Sequence, residues 1–296
     1  MTEPDVEPEA EVQSEAGPSP DAAPWIVVGY DGSDPAKVAL TWAAEYAAKA
    51  ERRLQIVHAW MWPLFTHNLG PVQGIEGSGL RHAAEEILTE GVALAHETSP
   101  ELKVETDLKA GLPAEVLLEE SEGADLLVVG NRGIGGLLGQ LVGSVSLDLS
   151  GSSKRPLLVV RYSRRDDRPV MACIEGGTDG QASSPSVLSE ATKMAGFLGE
   201  ALHIVHAVPP EKRHQHESPE EGRAILDRAA EAAARLAPDL TVTTALLQGR
   251  AVAKDLLSEA GGAEVMVLGG HRPGGSPGAV ATAVLKHAPC NIMIAR

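Results

Sequence analysis

Short apolar runs alternate with amphipathic helical segments along most of this chain. The runs are rich in β-branched residues, as buried strands are, and the longer segments place apolar residues on one helical face. In the first half this pattern predicts strands over residues 25–30, 54–59, 102–109, 125–129 and 157–161, and helices over 35–49, 81–97, 114–122 and 144–150. A loop rich in proline and glycine is predicted over 61–79. Strands that alternate with helices indicate an α/β fold.

The same order of elements occurs twice. Residues 54–59 (LQIVHA) recur as 202–207 (LHIVHA), 124–130 recur as 263–269, and 154–161 match 287–294. A repeat about as long as a domain indicates a duplicated domain rather than a solenoid. The pattern therefore predicts two tandem doubly wound domains, over residues 24–162 and 169–296, each a five-stranded parallel sheet with helices on both faces. The charged segment 163–168 between them is predicted to be a linker.

The charge of the chain narrows the class of partner. The formal net charge is −16, of which the first 24 residues carry −7 without any Lys or Arg, so that −9 remains for the rest. Residues 1–23 are predicted to form a disordered acidic tail. An acidic body with only 3% aromatic residues disfavours binding to DNA or RNA, which needs positive charge and stacking surfaces.

Cysteine use and the N-terminus favour a cytoplasmic protein. Cys173 and Cys290 lie far apart in sequence, so they are predicted to be buried packing residues rather than a disulfide framework. No apolar run approaches the ~20 residues of a membrane span, and the acidic start is the reverse of a signal peptide. His58 and His206 recur at one strand end and are predicted to be packed and hydrogen-bonded, while metal binding by His214 and His216 is not expected.

The main candidate site follows the fourth predicted strand. There the chain reads Gly130-Asn131-Arg132-Gly133, and Gly143-Ser144 begins the next helix. Glycines let backbone N–H groups approach a phosphate, and a helix N-terminus adds donors and a favourable dipole. The spacing within this loop excludes the P-loop, the dinucleotide-binding glycine pattern and the nucleophile elbow at this position.

The loop Gly130-x2-Gly133-x9-Gly143-Ser144 resembles the ATP-binding signature of the universal stress protein family. The strand-one end, residues 28–33 (VGYDGS), His58-Ala59 and the Gly111-x-Pro113-Ala114 turn are also similar to that family, and the resemblance covers residues 25–296. It implies a strand order of 3-2-1-4-5 in each domain. Strands one and four are then neighbours at the switch point, where open parallel sheets bind ligands.

The resemblance implies an ATP site with a divalent cation, Mg²⁺ or Mn²⁺. Asp31 and the backbone near Ala59 would hold the base and ribose. The phosphates would contact the residues of the loop and of the helix start, namely Gly130, Gly133, Gly143, Ser144, Val145 and Ser146; the predicted site also includes Gly29, Tyr30, Val129 and Arg132. Simpler interpretations stay open: the glycines form a turn, Ser144 is only an N-cap, and Asp31 only precedes a turn at Gly32.

The second half departs from this signature. Glu175 replaces Asp31, and the second motif glycine becomes Arg272, followed by Pro273. Ala279 and Ala281 replace the hydroxyls of Ser144 and Ser146, and the loop is four residues shorter. Ordinary ATP binding is therefore predicted for the first half only, with the second half pairing with it.

These features predict an ATP-binding stress-response regulator that is not an enzyme. The sequence shows no recognisable nucleophile–base pair and no metal cluster with catalytic spacing. The alternatives are a slow ATPase or transferase and a nucleotide-free scaffold. Strand five lies at a sheet edge, where unpaired strands invite pairing, so the two halves are expected to pair with each other or the chain to form a homodimer. A protein partner is expected, but neither nucleic acid nor membrane.

Overall fold

The computed structural model describes residues 24–60, 79–133, 142–176, 185–208, 218–249, 251–270 and 278–296. The predicted acidic tail, most of the predicted loop at 61–79, His214, His216, Arg272 and Pro273 lie outside these ranges. In the described part of the chain, no helix combines the length and the apolar character that crossing a membrane requires.

The first half contains the nine elements predicted for it, each within two residues of its predicted bounds. They are β1 (Trp25–Gly29), α1 (Asp34–Lys49), β2 (Arg53–Trp60), α2 (Gly79–Thr98), β3 (Val104–Ala110), α3 (Pro113–Glu120), β4 (Leu126–Gly130), α4 (Ser144–Ser152) and β5 (Leu157–Val160). Helix α1 illustrates why the sequence folds this way: it is rich in alanine, Pro35 lies in its first turn, and the Ser33 hydroxyl accepts from Ala36 N at its start.

The second half repeats the plan. It comprises β6 (Val170–Ile174), α5 (Pro185–Leu198), β7 (Leu202–Val208), α6 (Pro219–Leu236), β8 (Val242–Gln248), α7 (Val252–Glu259), β9 (Val265–Gly269), α8 (Ala279–His287) and β10 (Asn291–Ala295), with a short 3₁₀ turn over Ala260–Gly262. Within each half all strand pairs are parallel, and the order 3-2-1-4-5 is confirmed in both. Apolar side chains are buried on both faces of the sheet, under the helices.

The two five-stranded sheets join into one sheet of ten strands. The order is β3-β2-β1-β4-β5-β10-β9-β6-β7-β8, and β5 and β10 pair antiparallel. Pairing of the two halves through strand five, expected from its position at a sheet edge, is thus confirmed. At the centre of this junction Leu158 pairs with Met293.

The strand register corrects one block of the internal repeat. On β4 Leu127 pairs with Leu157, whereas its counterpart Met266 on β9 pairs with Ile292. Leu157 therefore corresponds to Ile292, two residues beyond the position at which the sequence blocks 154–161 and 287–294 were matched. The block match was wrong because it superposed Pro156 and Pro289, although Pro156 lies one residue before Leu157 and Pro289 lies three residues before Ile292.

The corrected register makes Arg161 and Arg296 equivalent. Arg161 Nη1 donates to Leu285 O at the end of α8, and Arg296 Nη2 donates to Ser150 O at the end of α4, both at 2.7 Å. Each arginine thus binds the carbonyl end of a helix in the other half, where positive charge is favoured. An approximate twofold axis therefore relates the two halves at the junction.

Candidate functional site

A cavity of about 960 Å³ opens at the carboxyl ends of β1 and β4 in the first half. These strands are parallel neighbours, and the chain leaves them toward opposite sides of the sheet, which is where open α/β sheets bind ligands. The predicted site residues all line this cavity: Gly29, Tyr30, Asp31, Ala59, Val129, Gly130, Arg132, Gly133, Gly143, Ser144, Val145 and Ser146.

Asp31 holds the turn between β1 and α1. Its Oδ1 accepts hydrogen bonds from the Ser33 backbone N–H at 3.1 Å and from the Ser33 hydroxyl at 2.6 Å. Gly32 has a φ of +78°, a conformation that glycine adopts without strain. The interpretation of Asp31 as a residue that precedes a turn at Gly32 is therefore confirmed. The same residue also lines the cavity.

Gly130 lets the end of β4 meet the start of α1. A Cβ at this position would lie 2.8 Å from Pro35 O, a backbone atom that has little freedom to move. The Ser146 hydroxyl donates to Gly130 O at 2.9 Å and is buried. Ser146 therefore supports the base of the loop, and its hydroxyl proton is already engaged.

The remaining loop glycines bring two segments of the cavity wall together. A Cβ at Gly133 would collide with Asp31 Oδ2, so this glycine allows the loop to lie directly on the Asp31 carboxylate. The Gly143 N–H donates to Asn131 O at 2.7 Å, which closes the loop. Gly143 is the N-cap of α4 and Ser144 is the first residue within the helix, so the N-cap interpretation of Ser144 was wrong.

The first N–H groups of a helix have no partner within the helix, and in α4 they belong to Ser144, Val145 and Ser146. They lie beside Arg132, which is the one basic residue, Lys or Arg, among the described residues that line the cavity. The Arg132 Nε is buried, and no described group accepts a hydrogen bond from it. Together these groups form an array of donors that suits an anion.

The opposite wall is held by contacts deeper in the fold. His58 Nδ1 lies 2.7 Å from Tyr30 O, as His206 Nδ1 lies 3.0 Å from Ile174 O, so both histidines are buried and hydrogen-bonded as predicted. The Tyr30 hydroxyl donates to Glu90 at 3.1 Å. Burial and then Glu90 raise the pKa of Tyr30, which keeps the phenol neutral.

Sequence reasoning missed part of the lining. Helix α2 contributes a small apolar patch at Ala83, Ala84 and Ile87. Helix α3 contributes Pro113, Ala114, Glu115, Leu117 and Leu118. On α4, Asp148 and Ser152 also line the cavity. They follow Ser144 at intervals of four residues, and this spacing was the available signal for one polar helix face.

The corresponding end of the second half has lost these groups. In the corrected register Ala279, Ala281 and Ala283 stand where α4 has Ser144, Ser146 and Asp148. Gly270 donates to Ala295 O as Asn131 does to Val160 O, and the Arg296 guanidinium lies against Gly270. In the described ranges no group of three or more His, Cys, Asp or Glu side chains could hold a metal ion.

Both cysteines of the chain lie in the interior of the fold. Cys173 and Cys290 are both free and buried, as predicted. Burial raises the pKa of both thiols, that of Cys290 to about 12, so neither is an activated nucleophile.

The repeated sheet and its shared topology define a tandem doubly wound α/β protein. The model of the universal stress protein family matches residues 25–161 and 175–296. The chain therefore belongs to the universal stress protein family and carries two copies of its domain.

Relatives of similar length and architecture support this assignment. A universal stress protein of Mycolicibacterium smegmatis is 29% identical over 286 residues, covering 92% of this chain and 96% of that protein. One of Mycobacterium bovis is 28% identical over 301 residues, covering 92% and 94%. The crystal structure of a universal stress protein from Archaeoglobus fulgidus superposes with a TM-score of 0.68 at 18% identity, covering 91% of this chain and 97% of that one, which is a likeness of fold.

Proposed function

We propose that the first half binds ATP in the cavity at the ends of β1 and β4, and that the bound nucleotide regulates a stress response. The observation that carries the proposal is the convergence of the loop glycines, the α4 N-terminus and Arg132 on one cavity. Its volume, about 960 Å³, lies at the upper end of the range of roughly 300–1,000 Å³ typical of small-molecule sites.

The residues present fit a nucleotide with a phosphate chain. The N–H groups of Ser144 and Val145 and the Arg132 guanidinium are donors for phosphate oxygens. The apolar patch on α2 and the β2 end near Ala59 suit a base and ribose. A divalent cation, Mg²⁺ or Mn²⁺, would be held by the phosphates together with Asp31 or Asp148, since Mg²⁺ commonly binds through one or two carboxylates plus phosphates.

The proposed role is sensing rather than turnover. Asp31 Oδ1 accepts two hydrogen bonds from Ser33, and the Ser146 hydroxyl proton is engaged by Gly130 O, so both groups serve to shape the site. Bound ATP would contact Gly133 and the start of α4 and so alter a surface that a protein partner recognises. Incubation of the complex followed by analysis of the nucleotide distinguishes this role from that of an ATPase: intact ATP supports sensing, and sustained release of ADP contradicts it.

Two glycine substitutions test ATP binding with little disturbance of the fold. Gly143 and its counterpart Gly278 are both N-caps with negative φ angles, −74° and −58°. A Cβ at Gly143 would meet nothing closer than 3.4 Å, and one at Gly278 nothing within 4 Å. Gly143→Ala places a methyl group in the wall of the cavity, whereas Gly278→Ala places one outside it.

Isothermal titration with ATP and Mg²⁺ is the measurement. Gly143→Ala should weaken ATP binding by at least about tenfold, equivalent to ~1.4 kcal/mol, and Gly278→Ala should leave it unchanged. Small molecules released by heat from the purified parent chain, identified by mass, should include a nucleotide. A parent chain that gives no heat with ATP and releases no nucleotide would overturn the proposal and favour a nucleotide-free scaffold.

A further inference from the structure

Helix α1 connects the candidate nucleotide site with the second half. At its start, Ser33 holds the Asp31 carboxylate and Pro35 O lies against Gly130. The position of this helix therefore fixes both the β1 turn and the end of β4. Because α1 has 16 residues and contains no glycine, a displacement along its length is passed to its N-terminus.

One stripe of α1 side chains contacts the second half and the linker before it. Trp42 Nε1 donates to Glu264 Oε1 at 3.1 Å, Glu45 lies 3.3 Å from Arg164, and Lys49 Nζ donates to Leu198 O at 3.1 Å. Between them Tyr46 stacks on Trp42 and meets the edge of Phe197. Intervals of three, four and seven residues place these side chains on one helical face.

Glu264 is the centre of a buried polar network. Its side chain is fully buried, and besides Trp42 it accepts from Asn291 Nδ2 at 3.0 Å and from the Arg165 backbone N–H at 3.1 Å. Asn291 in turn accepts from the backbone N–H groups of Arg161 and Tyr162. One carboxylate thus joins α1, the segment that follows β5, and the second half.

The network is absent from the corresponding place in the first half. Asp125 N donates to Trp25 O as Glu264 N donates to Pro169 O, so Asp125 is the counterpart of Glu264. Asp125 instead forms a partly exposed ion pair with Arg52 at 2.8 Å. The buried arrangement therefore serves the join between the halves and is not a requirement of the fold itself.

We propose that Trp42 and Glu264 are positioning residues of the nucleotide site, through which the second half holds α1 so that Asp31 and Gly130 face the ligand correctly. The inference rests on the proposed function, ATP binding in the first half. It assigns the second half a task that needs no ligand of its own. The network acts on the site through the helix and touches no part of the cavity.

Titration of three variants with ATP and Mg²⁺ tests this assignment. Trp42→Phe removes the indole N–H and keeps an aromatic ring, and Glu264→Gln replaces one acceptor oxygen by a donor. Arg161→Met is the control, because it removes contacts with Leu285 O and Lys286 O at the same junction without touching α1. The Trp42 and Glu264 variants should weaken ATP binding at least about fivefold, and the control should change it less than about twofold.

A second readout separates positioning from a purely structural role. In ¹H–¹⁵N spectra of the parent chain, the indole resonance assigned by its loss in Trp42→Phe should shift when ATP is added. Should Glu264→Gln fail to fold, Trp42→Phe still decides. Three results would each overturn this inference while leaving the proposed function intact. They are folded variants that bind ATP like the parent, an indole resonance that does not shift, and an equal loss of ATP affinity in Arg161→Met. A parent chain without ATP binding overturns the proposed function and this inference together.

Discussion

The two halves share a strand order but use their polar residues in different places. In the first half, the start of α4 presents Ser144, Ser146 and Asp148 at the sheet end, while α8 has Ala279, Ala281 and Ala283 at the same positions. In the second half, buried polar side chains lie instead at the junction between the halves. These are Glu264 and Asn291, both fully buried.

With the proposed nucleotide site in the first half, this difference amounts to a division of tasks between the two copies of the domain. One copy keeps the donors and glycines of the cavity, and the other supplies a buried acceptor for the helix that borders the cavity. The scaffold tolerates both outcomes because strand order and core depend on apolar positions that the two halves share.

The largest loss of stability is expected from a substitution at the junction between the halves, where their buried polar residues differ. Glu264→Ala leaves the Trp42 indole, the Asn291 amide and the Arg165 N–H without their acceptor, and should lower the free energy of unfolding by about 3–5 kcal/mol. The matched change Asp125→Ala removes a partly exposed ion pair and should cost at most about 1 kcal/mol. Urea unfolding measures both; similar losses would show that the two positions are energetically equivalent.

The next largest loss of stability is expected from a substitution at the end of β4. Gly130→Ala forces a Cβ to within 2.8 Å of Pro35 O, so β4 and α1 must separate, at a cost of about 1–3 kcal/mol. Gly196→Ala in α5 meets nothing within 4 Å and should instead stabilise by about 0.5–1 kcal/mol, because alanine favours the helix. Thermal unfolding compares the two, and a Gly130→Ala variant as stable as the parent would contradict the close packing.

A smaller effect is expected at the helix starts. Ser146→Ala removes the hydrogen bond to the buried Gly130 O and should cost about 1–2 kcal/mol. The reverse change in the other half, Ala281→Ser, should alter stability by no more than about 0.5 kcal/mol, since the residue is only partly buried. Chemical denaturation of the two variants checks this, and equal and opposite effects would mean that the serine acts identically in both halves.

The smallest expected effect is a pH dependence at the seam between the halves. Burial, and to a smaller extent the Asp125 carboxylate, raise the pKa of the Glu190 carboxyl, while Lys193 opposes the shift. A group whose pKa is raised on folding stabilises the fold at low pH and loses that contribution as pH rises through its folded pKa. The contribution of Glu190 to stability should therefore decline over the acidic range above the ordinary Glu pKa, and Glu190→Gln should remove this contribution from the pH profile. An unchanged pH profile of urea midpoints in Glu190→Gln would contradict it.

Much of the fold could be predicted because its signals are local. Apolar runs and helical periodicity defined each element of the first half to within two residues, and the internal repeat indicated two domains. The strand order followed from the family resemblance rather than from the pattern. Loop glycines and the strand-end Asp31 were also local signals, and the topology then brought them to one cavity.

The junction could not be predicted in the same way because its partners are distant in sequence. Trp42 and Glu264 are separated by 222 residues, and each alone has the appearance of an ordinary core or surface residue. The equivalence of Arg161 with Arg296 was hidden by a misleading proline match, and only the strand register reveals it. The α3 lining was missed because cavity walls depend on how helices pack, which a periodic pattern does not encode.

The antiparallel pairing of β5 with β10 also has a consequence for synthesis. About 130 residues separate these strands, so at ~5–20 residues per second β5 is translated roughly 7–26 seconds before its partner. During that interval a folded first half presents an uncovered strand edge, which can pair with the same edge of a neighbouring nascent chain. Ribosome spacing on the message and the speed of elongation thus decide how often the first halves of two chains meet before each meets its own second half.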